Sequence, residues 1–113
     1  MPGQGPYPAL RETFIVSGTG VTSPVPAHQA KDYTVGCSSS AGHNVFAEGS
    51  LDGAEWSALR WKGTTNPTTI ALTGTTVMLR PVIEYVHYLR FNVTSMTAAS
   101  TLTLWMYGVP LGV

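Results

Sequence analysis

Charge is the scarcest property of this chain. Only 11% of its 113 residues are Asp, Glu, Lys or Arg, against roughly 25% in an ordinary soluble domain. Six basic residues balance six acidic ones, which gives no electrostatic footprint for nucleic acid or anionic lipid. There is one cysteine, Cys37, so an internal disulfide and a thiolate metal cluster are both excluded. No apolar run approaches the roughly 20 residues of a membrane-spanning helix. The opening "MPGQGPYPAL" has neither the basic nor the apolar region of a secretory signal. These absences predict a protein used without export by the general secretory route, with no nucleic-acid or membrane partner.

What is present is a 43% hydrophobic composition whose polarity comes from Ser, Thr, Asn and Gly. The length fits one domain with a core that needs no staple. A surface so poor in charge is weakly protected against self-association, and it suits a subunit that spends its life docked against others.

Breakers divide the chain. Three prolines and two glycines in the first ten residues rule out a helix or an inner strand there, because proline fixes φ and lacks a backbone donor. Residues 1–12 are read as an extended arm carrying Tyr7 and Leu10. Residues 17–32, "SGTGVTSPVPAHQAKD", are read as a loop from one strand to the next. The remainder is a series of short runs rich in Val, Ile, Thr and aromatics: "TFIVSG" from Thr13, "DYTVGCS", "HNVFAEGS", "EWSALRWK", "TTIALTG", "TTVMLRP", "EYVHYLRFNVTS" and "STLTLWMYG". Such side chains fit a pleated surface, and no segment sustains a 3.6-residue apolar period.

Alternation assigns faces. Leu89, Phe91 and Val93 oppose Tyr88, Arg90, Asn92 and Thr94; Leu102, Leu104 and Met106 oppose Thr101, Thr103, Trp105 and Tyr107. Ile70, Leu72, Val77 and Leu79 are assigned as the apolar contribution of the two runs before them. About eight short antiparallel strands at turn-like spacing predict an all-β fold, a single β-sandwich or jelly roll over residues 13–108, followed by an apolar tail at 109–113.

The stretch "GSLDGAEWSALRW" at 49–61 concentrates chemistry. Asp52-Gly53 is a hairpin signal, since Gly accepts positive φ and Asp caps its own turn. Trp56 is then expected to plug one end of the sandwich. A Ca²⁺ site from Glu48, Asp52 and Glu55 would supply too few oxygens, and a sugar platform on Trp56 and Trp61 would need polar partners the sequence does not place. Cys37 and His43 are close in sequence, but no nucleophile signature surrounds them, and Cys37 reads as a small buried apolar residue. His28, His43 and His87 lack zinc spacing. No catalytic residue, metal site or cofactor is assigned, so the chain is not expected to be an enzyme. Arg90 is expected to pair with Glu84 or Glu48 across the sheet, with a place in an interface as the alternative.

"VFAEGSLDGAEWSAL", followed about thirty residues later by "YLRFNVTSMTAASTLTLWMYG", resembles a pattern of small virion proteins of tailed bacteriophages and, more loosely, of discoidin-type jelly rolls that often bind sugars or lipids. The likeness covers roughly residues 44–108. The chain departs from secreted discoidin modules in lacking a cysteine pair and an export signal. The resemblance implies a capsid decoration (cement) subunit, assembled in the host cytoplasm and bound to the head surface. Its partners would be the major capsid protein and its own copies, as a homotrimer. The implied interface residues are Tyr7, Leu10, Phe14, Trp105, Tyr107, Val109 and Leu111. The alternative function is a carbohydrate- or receptor-binding module of a phage tail or fibre.

Overall fold

A computed structural model describes residues 8–39, 41–62, 66–73 and 77–112. In chain order the strands are β1 (Leu10–Val16), β2 (Gly20–Val21), β3 (Val25–Pro26), β4 (Ala30–Ser38), β5 (His43–Ser50) and β6 (Ser57–Ala58). They continue with β7 (Arg60–Lys62), β8 (Pro67–Thr69), β9 (Ala71–Thr73), β10 (Met78–Pro81), β11 (Tyr88–Met96) and β12 (Leu102–Pro110). The fold is all-β, with no helix among the described residues.

The pairing is nested. β1 pairs with β12, β2 and β3 with β11, β4 with β10, and β5 with β6 and β9, every pair antiparallel. The chain is thus one long ribbon doubled back on itself, with the Asp52 turn between β5 and β6 at its tip. Successive pairs fall alternately into two sheets, ordered β1-β12-β4-β10 and β2-β11-β5-β6. That order of eight strands is a jelly roll. β7 and β8 form a separate two-stranded sheet.

Period-two alternation drives the packing. In β5, Val45 and Ala47 are buried while Asn44, Phe46 and Glu48 are partly exposed; in β12, Leu102, Leu104 and Met106 are buried. Their inner faces meet Val35, Leu89, Phe91 and Val93 in one core. Phe14 crosses from the first sheet to meet the Phe91 ring edge-on at 6.1 Å, a favoured geometry for aromatic quadrupoles. Tyr33 closes one end of the core. Its buried hydroxyl lies 2.8 Å from the Val86 carbonyl, 2.9 Å from that of Ala27 and 3.1 Å from that of Ala30. Desolvation by burial pushes its pKa up to about 12.

Four sequence expectations change. Residues 17–32, read as a loop, hold β2, β3 and the start of β4, because β2 and β3 find free partners along the long strand β11. β1 begins at Leu10, not Thr13, because Leu10 to Val16 pair continuously with Gly108 to Leu102. In β10, Met78 packs on the core while Leu79 is 55% exposed. The reason is that β10 takes its parity from β4: Met78 stands opposite the inward Cys37 and Leu79 opposite Gly36. Val77, also assigned to the core from sequence, is exposed.

Candidate functional site

The outer side of the first sheet is built from three cross-strand rows. Thr13, Trp105, Gly36 and Leu79 form the middle one. Ile15, Thr103 and Ser38 flank it on one side, and Arg11, Tyr107, Thr34 and Pro81 on the other. Their single charge is Arg11, whose guanidinium sits 5.6 Å from the Tyr107 ring centroid. Ile15 is 74% exposed, the largest exposure of any described bulky apolar residue. Gly36 makes the middle row possible. A Cβ there would collide with the Leu79 methyl Cδ2 and meet the Met78 carbonyl at 2.8 Å and the Trp105 ring at 3.4 Å. Trp105 and Leu79 therefore close over bare backbone, giving a flat apolar strip framed by threonines.

β1 ends this sheet and pairs on one side only. Glu12 holds an inward register position opposite Met106 yet is exposed. An inward-pointing charge on an edge strand opposes indiscriminate strand-to-strand pairing, which leaves the sheet's face as its accessible apolar surface.

The seven interface candidates divide. Trp105 and Tyr107 lie on the outer face just described. Leu10 and Phe14 turn inward against the core, since their register partners Gly108 and Leu104 are inward as well. Val109 stands opposite Lys31 after a bulge in β12, and Leu111 donates its backbone N–H to the Gln29 carbonyl at 3.0 Å. Tyr7 lies outside the described residues. Ile15, Leu79, Thr13 and Thr34 were missed because the strand boundaries and the parity of β10 hid their common face.

The Asp52 connection between β5 and β6 spans residues 51–56 and is held by its own side chains. Ser50 Oγ accepts the Gly53 N–H at 2.8 Å and donates to Asp52 Oδ1 at 3.0 Å. The same Oδ1 accepts the N–H groups of Ala54 at 2.8 Å and Glu55 at 2.9 Å. Those amides, Glu55 first and then Ala54, with the Ser50 hydroxyl, hold the Asp52 carboxyl below its ordinary range. Gly53 supplies the left-handed residue, φ 81°. Trp56 does not plug the sandwich end. It lies half-buried beneath the Arg90 guanidinium, 4.2 Å from the ring centroid. Arg90 Nε reaches Glu48 Oε1, its direct cross-strand partner, at 2.8 Å, and Asn92 donates to Glu48 Oε2 at 3.1 Å. Trp61 is likewise capped by Arg80 at 4.3 Å. Each of these two indoles, the proposed sugar platforms, therefore has one face taken by a cation of the same chain.

The fold also brings Cys37 and His43 together, with Sγ 3.3 Å from Nε2. The Ala41 carbonyl, 3.1 Å from His43 Nδ1, can only accept, so Nδ1 carries the proton in the neutral ring and Nε2 accepts the thiol S–H. Both residues are buried, and desolvation raises the Cys37 pKa against the opposing pull of the Met78 backbone and Arg80. A neutral, enclosed thiol is a packing element rather than a nucleophile. Among the described residues, no group of three or more His, Cys, Asp or Glu is placed to hold a metal ion.

These features define the class as a jelly-roll β-sandwich whose outer sheet face carries a single charge, Arg11, across its three rows. No family model matches the chain, and no curated protein matches it significantly in sequence. Among solved structures it is similar to the crystal structure of SPBc2 prophage-derived protein YomS, with a TM-score of 0.64 at 15% identity over 90% of this chain and 96% of that one. At that identity the shared feature is the fold, across nearly the whole of both chains.

Proposed function

We propose that this chain is a structural protein of a tailed-bacteriophage virion that acts by docking against other subunits. In its finer form the proposal is a decoration subunit: a homotrimer, assembled in the host cytoplasm, that binds the outer surface of the head and adds contacts between neighbouring copies of the major capsid protein. The observation that carries it is the outer face of the first sheet. Ile15, Leu79, Trp105 and Tyr107 with one charge among three rows make a surface depleted in charge and enriched in aromatics, the composition of an interface core. The fold shared with a prophage-derived protein supports the phage setting, although fold alone does not carry function.

The test is a cryo-microscopy difference map of heads from the encoding phage, prepared with and without this protein. Discrete density of about the size of this domain over capsid subunit junctions is the expected result. Heads with unchanged density, or density confined to the tail, would overturn the decoration role.

A further inference from the structure

Where β5 runs into the Asp52 turn, the chain forms an open cleft of about 360 Å³, within the range of roughly 300–1,000 Å³ typical of ligand sites. Leu59 and Val86 line its base and Leu51, which is 68% exposed, forms a wall. The polar lining includes Asp52, Glu55 and Glu84, three of the six acidic residues in the chain, and no Lys, Arg or aromatic residue takes part. Arg60 neutralises one of the three from outside, through Glu84 at 3.1 Å, which leaves a formal charge of two negatives (three carboxylates less one guanidinium). The Glu55 carboxylate has no ion pair among the described residues.

An apolar base under an anionic rim selects its occupant. A purely apolar side chain would desolvate carboxylates with nothing in return, and an anion would be repelled. A sugar would find no ring to stack on. A long basic side chain satisfies both halves, because its methylene stem packs on apolar surface while its cationic head stays at the rim. We propose that this cleft receives a lysine or arginine side chain presented by a partner protein, its stem against Leu51, Leu59 and Val86 and its head at Glu55. Asp52, held ionised by the turn, keeps the rim charged across the neutral range.

The proposal stands apart from the capsid reading and is tested on the isolated chain with n-butylguanidinium as the probe and the neutral isostere N-butylurea as the control. Methyl NMR signals of Leu51, Leu59 and Val86 should shift saturably with the cation in the millimolar range. N-butylurea should bind about tenfold more weakly, and Glu55→Gln, an exposed turn position, should weaken the cation about fivefold while the rest of the spectrum stays unchanged. A second variant, Glu84→Gln, should weaken it as well. Equal binding of the two probes, no saturable shift, or a Glu55→Gln variant that binds as the parent does would each overturn it. None of these outcomes bears on whether the chain binds heads.

Discussion

Cys37 Sγ stands 3.3 Å from His43 Nε2, which places a sulfur–imidazole contact across the turn that carries the chain from the first sheet to the second. The contact ties β4 to β5 inside the core, where a polar group without a partner is costly.

It follows that the Cys37 thiol of the native protein should be nearly inert. Labelling by a thiol reagent should follow unfolding and quicken sharply in denaturant. His43→Ala should destabilise by about 1–3 kcal/mol, because it removes the imidazole partner of the buried thiol and leaves a void, while the Ala41 carbonyl keeps the Ser39 hydroxyl. Rapid stoichiometric labelling of the folded protein would contradict this.

Tyr33 makes stability fall at high pH. Its hydroxyl is pushed up to about 12 in the folded state from an ordinary value of 10.0, so the folded chain holds this proton more tightly than the unfolded one. The contribution is complete below pH 10 and is lost as pH rises towards 12, by roughly 2 kcal/mol. Denaturation midpoints measured across that window should decline for the parent and decline less for Tyr33→Phe. The variant itself should be less stable by about 1 kcal/mol at neutral pH, through loss of the bond to Val86.

Gly36→Ala tests the strip over the first sheet. The Met78 carbonyl, 2.8 Å from the added carbon, is backbone held in the β4–β10 ladder and cannot swing aside. Overpacking should therefore cost about 1–3 kcal/mol in a urea titration, and Trp105 emission should change as the ring is displaced. A neutral substitution would mean that β10 is free to move away from β4.

Much of the fold was legible because period-two alternation was clean where strands are long. Leu89, Phe91 and Val93, and Leu102, Leu104 and Met106, announce their buried faces, and the Asp52-Gly53 pair announces the tip of the ribbon. Short strands were less readable. β10 has only four residues, so either parity of "VMLR" fits the pattern, and only pairing with β4 decides that Leu79 faces out. The Arg90–Glu48 pair was foreseeable from charge, whereas the cap that Arg90 places on Trp56 depends on a turn whose path the sequence does not specify. The cleft beside Glu55 was illegible for a related reason. Glu84 reaches it from a segment more than twenty residues away, brought there by the Arg60 N–H, which donates to Glu84 Oε1 at 2.6 Å.

The outer face of the first sheet as the docking surface is the claim on which the functional account rests. Co-sedimentation with heads of the encoding phage, comparing the parent with Ile15→Lys/Tyr107→Lys and with Thr94→Lys, tests it most directly. Thr94 is an exposed position on the second sheet, and all three proteins should fold alike. The account predicts that the parent and Thr94→Lys pellet with heads while the double variant stays in the supernatant; equal binding by all three, or loss only with Thr94→Lys, would contradict it.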